Sequence, residues 1–288
     1  METIRSIPAM HAWSACARAG GKRIGFVPTM GYLHAGHLSL VTEARHHTDV
    51  VVASVFVNPL QFGHNEDLDR YPRDLERDTV QLRAAGCDVL YLPQANEMYP
   101  EGFQTTVNVE HVTRGLCGDS RPGHFRGVTT VVAKLFNAVR PHVAVFGEKD
   151  FQQLVAIRRM VRDLDFDIEI IGGPIVREAD GVAMSSRNAY LSPDDRVAAR
   201  CLSRALAAAQ SAVQRGERSG AVVLDRARAA LTAESRARID YVALSDPDSL
   251  RPVDRIEGPT LLALAVVIGN TRLIDNTILG RSAAWGEG

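Results

Sequence analysis

At 288 residues, 45% hydrophobic and 23% charged, the chain has material for one large or two medium globular domains. A formal net charge of −1 leaves no strong field to draw nucleic acid or an anionic membrane surface, and no apolar run reaches the roughly 18 residues of a membrane-spanning helix. Cys16, Cys87, Cys117 and Cys201 are scattered without a Cys-x-x-Cys pair, and the N-terminus lacks a signal-peptide core, so a reduced, cytoplasmic protein is expected. Of the 33 basic residues only Lys22, Lys134 and Lys149 are lysines, which makes each of them conspicuous.

Residues 6–19 read as a short helix with Met10, Trp13 and Ala17 on one side. Ile24 to Val27 is a short apolar run with a β-branched residue at each end, a buried strand that Pro28 is expected to end. Met30-Gly31 turns the chain, and from about His34 the apolar residues Leu38, Val41 and Ala44 recur at helical steps. A strand, a glycine-bearing turn and a helix direct free N–H groups at an anion. His34 and His37 lie at i, i+3 on the first helical turn, with Gly36 between them allowing close approach to the backbone. Two imidazoles beside free N–H groups suit a polyphosphate, since a nearby phosphate favours the charged ring. Zinc fits less well, because a third ligand is missing and no Glu falls inside the pair; no protein-held metal is expected.

Val50 to Val57 is a near-continuous apolar run, a central parallel strand, and it ends in Asn58-Pro59-Leu60-Gln61-Phe62-Gly63. Polar groups at the end of such a strand face the ligand crevice of an open sheet, although Asn58 and Gln61 serve equally well to tie down a turn. Residues 66–84 are charged and helical after Pro72, and Asp88 to Leu92 forms the next strand. Residues 96–127 read as irregular; within them Arg121 and His124 have the chemistry to reach phosphate or carboxylate. Val128 to Val139 is helical, with Lys134 a snorkelling lysine beside its apolar face. Val143 to Phe146 is a strand that runs at once into Gly147-Glu148-Lys149-Asp150 and a helix over 151–164. A lysine at a helix start opposes the macrodipole and hints at an anion there. Gln153 lies one turn further in, and Ile168 to Ile171 is a strand.

This alternation predicts an α/β fold, a doubly wound, Rossmann-like parallel sheet in residues 1–175. After Gly172-Gly173-Pro174 the pattern changes. Val176 to Tyr190 is a polar loop in which Ser185, Ser186 and Arg187 supply donors that again suit phosphate. Helices over 193–214 and 221–234 precede three strands, Ile239–Leu244, Leu261–Ile268 and Leu273–Leu279, expected to form a small mixed sheet. Residues 176–282 are thus expected to form a smaller α+β C-terminal lid domain, with 283–288 a disordered tail.

The His-x-Gly-His pair, the downstream lysine and Met184-Ser185-Ser186-Arg187 together resemble the nucleotidylyl-transferase superfamily. Fuller strings narrow the resemblance: Pro28-Thr29-Met30-Gly31, Phe56 to Phe62, Phe146 to Asp150, and Arg177-Glu178-Ala179-Asp180-Gly181 leading to Met184-Ser185-Ser186-Arg187-Asn188. In that order, over about residues 3–280, the chain resembles the pantothenate synthetase (pantoate–β-alanine ligase) family. The resemblance implies condensation of (R)-pantoate with β-alanine at the expense of ATP, through pantoyl adenylate, with release of pyrophosphate and then AMP.

Carried onto this chain, the resemblance implies that Pro28, Thr29, Met30, Gly31, Tyr32, Leu33, His34, Ala35, Gly36 and His37 hold ATP, with His37 the proton donor to the leaving pyrophosphate. It implies that Gly147, Glu148, Lys149 and Asp150 bind the nucleotide, Lys149 at the phosphates and Asp150 at the ribose, while Val176 touches adenine. Met184, Ser185, Ser186 and Arg187 are implied at the phosphates. Gln61 and Gln153 are implied to grip pantoate, with Asn58, Arg121 and His124 beside it and Gln61 also next to β-alanine. Mg²⁺ and a homodimer are implied in the same way. The chain departs from the family pattern at Ala35, where an acid is usual, and at Arg126, where a small residue is expected. A sister adenylyltransferase would share His34, His37 and the hydroxyl loop, but not Asn58-Pro-Leu-Gln61 and the second domain.

Overall fold

The computed structural model describes residues 1–63 and 66–280; the tail expected at 283–288 lies outside them. The chain divides into two compact units. The first comprises Met1–Glu148 with Ala156–Val176, the second Lys149–Val155 with the residues from Arg177 on.

The first unit holds a six-stranded, all-parallel sheet. Its strands are β1 (Glu2–Ile4), β2 (Ile24–Thr29), β3 (Val50–Val55), β4 (Val89–Tyr91), β5 (Val143–Gly147) and β6 (Glu169–Gly173), in the spatial order β1-β4-β3-β2-β5-β6. Helices α1 (Ile7–Ala19), α2 (Ala35–His47), α3 (Leu75–Ala84), α4 (Ala95–Met98), α5 (Cys117–Ser120) and α6 (His124–Val139) connect them, and α7 (Phe151–Asp163) leads towards β6. In β3 the residues Val50 to Ser54 are all buried, as a strand with parallel neighbours on both edges requires. The chain builds the sheet outward from β2 through β3 to β4, then returns to the other side of β2 with β5 and β6. The direction of winding therefore reverses between β2 and β5, and ligand crevices in such sheets open at the carboxyl ends of the strands flanking that point. β2 pairs with β5 only at Gly25 and Phe26, so the two strands carry no shared ladder beyond these residues.

Three sequence expectations are corrected here. Pro28 does not end β2, which continues through Thr29 with Pro28 in register with Ser54. Because β5 has already left β2, one edge of the strand needs no N–H where the proline ring sits. The stretch 96–127 is not uniformly irregular: it contains α4 and α5, and α6 starts at His124 rather than Val128. Gly123, in the left-handed region at φ +82°, turns the chain into that earlier start. β1, which propensity did not reveal, is a three-residue edge strand that takes its register from β4.

The second unit contains a three-stranded sheet, β7 (Ala237–Ser245), β8 (Thr260–Ile268) and β9 (Thr271–Leu279), with helices α8 (Pro193–Gln214) and α9 (Gly220–Thr232). The sheet is antiparallel, not mixed. Only Gly269 and Asn270 separate β8 from β9, and a two-residue turn admits no parallel arrangement. Ala198, Leu202, Ala205, Ala209 and Val213 recur at helical spacing along α8. They share one buried cluster with Leu262, Leu264, Val266 and Ile268 of β8. None of the four cysteines is in a disulfide, and among the described residues no helix is long and apolar enough to cross a membrane.

Candidate active site

The turn that follows β2 is held from three sides. Thr29 Oγ1 donates to the Ser54 carbonyl at 2.8 Å and accepts the Gly31 N–H at 3.1 Å. Gly31 adopts φ +82°, and a Cβ there would lie 2.9 Å from Val55 Cγ1 and 3.0 Å from Asp78 Oδ2, so the position excludes any side chain. Tyr32 is also left-handed, at φ +50°. Asp78 of α3, 1% exposed, accepts the Tyr32 N–H at 2.8 Å and the Leu33 N–H at 2.7 Å. Its neighbour Arg77 donates to the Leu33 carbonyl at 3.1 Å and places its guanidinium 5.0 Å from the centre of the Tyr32 ring. Burial pushes the Asp78 carboxyl up, against the opposing pull of the two N–H groups and Arg77. Sequence reasoning missed Asp78 because an acid in a charged helix carries no distinguishing pattern.

His34 emerges from this turn as the N-cap of α2, and His37 occupies the first helical turn. Their rings stack at 4.0 Å between centroids with a tilt of 34°, so both imidazoles lie on one side as their spacing predicts. The His34 N–H donates to His37 Nδ1 at 3.3 Å. With Nδ1 an acceptor, the neutral His37 ring carries its proton on Nε2. Ala35 is exposed, so its departure from the family acid leaves the packing of the pair undisturbed.

A second polar centre lies at the end of β3. Asn58, 1% exposed, makes four side-chain hydrogen bonds within the protein. Its Oδ1 accepts from the Leu60 N–H (3.3 Å) and the Tyr99 hydroxyl (2.7 Å), and its Nδ2 donates to Gln61 Oε1 (3.0 Å) and the Gly127 carbonyl (3.1 Å). Burial pushes the Tyr99 hydroxyl up, which keeps it a donor. Gln61 Nε2 donates to Met30 Sδ at 3.0 Å, so this side chain is stretched between Asn58 and the turn before His34. One N–H and the remaining acceptor capacity of the Gln61 amide are not used by these two bonds. His124 Nδ1–H donates to the Gln61 carbonyl at 2.9 Å, while its Nε2 accepts from Arg121 at 3.0 Å. Arg121 in turn forks onto Glu66. Burial alone would push the Glu66 carboxyl up, but the Arg121 fork, together with His124 and the Gly63 backbone, outweighs it and holds the carboxyl below its usual range. Asn58, Arg121 and His124 thus all converge on Gln61 and fix its backbone and amide.

A small residue was expected at Arg126, and the structure supplies it one position on, at Gly127. A Cβ on Gly127 would fall 2.1 Å from the Leu60 carbonyl oxygen and 2.6 Å from the Gln61 nitrogen. Both neighbours are backbone and cannot swing aside. Gly127→Ala is therefore expected to cost roughly 1–3 kcal/mol through overpacking and to displace Gln61. Denaturant unfolding checks the first part, and the amide NMR shift of Gln61 checks the second.

Glu148–Asp150 forms a 3₁₀ turn that leads into α7, and the second unit takes up the chain at Lys149. The Lys149 ammonium lies 3.5 Å from the Asp150 carboxylate. Gln153, half-buried, sits in the first turn of α7. The Arg177–Gly181 string proves to be scaffolding: Arg177 bridges to Ala183, Gly181 turns the chain at φ +90°, and Arg196 of α8 grips Glu178 and Asp180. Asn188 donates to Glu178 Oε1 (2.8 Å) and to the Ala183 carbonyl (3.1 Å), closing the loop that carries Met184, Ser185, Ser186 and Arg187. Ser185 accepts the Arg187 N–H and starts a 3₁₀ turn over Ser186–Tyr190.

Two further residues of this unit escaped sequence reasoning. Asp275, with its side chain 2% exposed, accepts both terminal nitrogens of Arg177, at 2.6 and 2.9 Å. Asn276, beside it on β9, donates to the Lys149 carbonyl at 2.9 Å. Among the site residues named from sequence, Pro28 to His37, Asn58, Gln61, Arg121, His124, Gly147, Glu148 and Val176 lie in the first unit. Lys149, Asp150, Gln153 and Met184 to Arg187 lie in the second.

Comparison with known proteins adds a separate line of support. The Pantoate-beta-alanine ligase family model matches residues 2–278. The pantothenate synthetase of Geobacter sulfurreducens is 59% identical over 280 residues, covering 97% of this chain and 99% of that protein. That of Moorella thermoacetica is 57% identical over 279 residues, with the same coverage. The crystal structure of pantothenate synthetase from Thermus thermophilus superposes with a TM-score of 0.92 at 49% identity, covering 96% of this chain and 99% of that one. The pantoate-beta-alanine ligase of Francisella tularensis, complexed with beta-gamma ATP and beta-alanine, gives a TM-score of 0.78 at 32% identity, covering 96% and 97%. With sequence matched nearly end to end and the fold matched over the same span, the chain belongs to the pantoate–β-alanine ligase family.

Proposed function

We propose that this enzyme joins (R)-pantoate to β-alanine in two steps at the expense of ATP. In the first, a pantoate carboxylate oxygen attacks the α-phosphorus, the bond from that phosphorus to the bridging oxygen breaks, and pyrophosphate leaves. In the second, the β-alanine amine attacks the acyl carbon, the acyl–oxygen bond breaks, the nitrogen loses a proton, and AMP leaves with pantothenate formed. The observation that carries this reading is the stacked His34–His37 pair at the N-terminus of α2, in a chain of this family.

The substrate carboxylate is itself the nucleophile, so the protein needs positioning groups and positive charge where pyrophosphate departs. In this reading His34 and His37 donate to the phosphates, His37 from Nε2. The segment Pro28 to His37, with Gly147 to Asp150 and Val176, holds the nucleotide. Lys149, Ser185, Ser186 and Arg187 serve the phosphates, with Met184 beside them. Gln61 and Gln153 grip pantoate, Gln61 also meets β-alanine, and Asn58, Arg121 and His124 keep Gln61 in place. Mg²⁺ enters this reading with the ATP polyphosphate, whose charge must be neutralised for in-line attack at phosphorus. A cytoplasmic homodimer belongs to the same reading, and sedimentation at assay concentration tests the dimer.

The deciding experiment measures pyrophosphate and AMP from ATP, Mg²⁺ and pantoate, with and without β-alanine. Pyrophosphate stoichiometric with enzyme when β-alanine is absent, then steady AMP and pantothenate when it is added, is the expected outcome. Pyrophosphate release indifferent to pantoate would overturn the reading.

A further inference from the structure

A hydrogen-bonded chain in the second unit ties together two segments far apart in sequence. Arg177 donates twice to the Asp275 carboxylate, and that carboxylate accepts the backbone N–H of Asn276 at 2.8 Å. Asn276 Nδ2 then donates to the Lys149 carbonyl at 2.9 Å. Asp275 and Asn276 are adjacent on β9, so their side chains leave opposite faces of the strand. One holds the start of the loop that carries Ser185 to Arg187, and the other holds the turn that carries Lys149.

We propose that Asn276 is a positioning residue: its amide anchors the Glu148–Asp150 turn to β9 and thereby aims the Lys149 side chain. This rests on the reading of Lys149 as a polyphosphate ligand given above. Asn276 is 5% exposed, and a buried amide that donates to a carbonyl 127 positions earlier in the chain fixes that carbonyl firmly. Lys149 sits in a short 3₁₀ turn, a segment with little hydrogen bonding of its own, so an outside anchor decides where its Cα lies. The Asp150 carboxylate, 3.5 Å from the ammonium, then sets the direction of the side chain.

The test uses Asn276→Leu, which removes the donor at similar volume, and Asn276→Asp, which replaces the amide by an isosteric carboxylate. With only three lysines in the chain, amine labelling of the ligand-free protein by trinitrobenzenesulfonate reports Lys149 against Lys22 as internal control. The labelling ratio of Lys149 to Lys22 is expected to change several-fold in both variants. Pantoate-dependent pyrophosphate formation is expected to fall about 10²-fold, as a misplacement near 1 Å produces. The second half-reaction, started from preformed pantoyl adenylate and β-alanine, should stay within about twofold in both variants, even though loss of the buried hydrogen bond lowers the melting temperature. An unchanged labelling ratio overturns the proposal. So does equal loss of both half-reactions, which would mark Asn276 as a packing residue only. If the wild type releases no pantoate-dependent pyrophosphate, the functional reading fails, while the labelling ratio still decides whether Asn276 aims Lys149.

Discussion

Lys149→Ala is expected to slow pantoate-dependent pyrophosphate release by about 10²–10³-fold while leaving the fold intact, the usual consequence of removing one preorganised donor to a developing charge. The separation of activity from stability follows from the surroundings of the side chain. Its ammonium meets the half-exposed Asp150 carboxylate at 3.5 Å, an ion pair worth about 0–1 kcal/mol, so its loss costs the fold little. A cation at the start of α7 also opposes the helix dipole, so its removal costs the helix nothing. Lys149→Arg should recover only part of the rate, because a planar fork does not occupy the place of a compact ammonium. His37→Ala is expected to lose a similar factor. It also removes the acceptor for the His34 N–H and one ring of the stack, so its melting temperature must be measured beside its turnover. Near-normal turnover in either purified variant would refute the assignment.

Arg177→Met is expected to destabilise the second unit by about 3–5 kcal/mol, the range for breaking a buried ion pair from one side. The side chain of Asp275 is 2% exposed, against 32% for that of Arg177. Loss of the arginine strands a carboxylate with the Asn276 N–H as its remaining partner in this chain of bonds, whereas loss of the acid leaves a guanidinium that water can reach. Asp275→Asn should therefore cost clearly less than Arg177→Met. The double variant Arg177→Met with Asp275→Leu should recover much of the loss, since no charge remains buried and unpaired. Hydrogen exchange of β8 and β9 amides, read by mass spectrometry, reports this unit without interference from the first. Equal costs for the two single variants would show that burial of the carboxylate is not what makes the pair matter.

The His34–His37 pair, its strand and its turn were legible in the sequence because everything that shapes them is local. A short apolar run makes β2, a glycine makes the turn, and a period near 3.6 makes α2. The same holds for the alternation that builds the parallel sheet, and for the Ser185-Ser186-Arg187 loop. Even there, locality misled where a neighbouring strand decided the outcome: Pro28 stays inside β2 because β5 has already turned away. The residues that hold the site were not legible. Asp78 reaches a turn 45 positions earlier in the chain, and Asn58 meets the Gly127 carbonyl 69 positions on. Arg177 and Asp275 are 98 apart, and Lys149 and Asn276 are 127 apart. A hydrogen bond across such a distance leaves no period, cap or turn signature in either segment. Composition and periodicity determined which elements form and which side chains could meet an anion; only tertiary structure decided which buried polar groups hold them, because that depends on where the sheets bring remote backbone together.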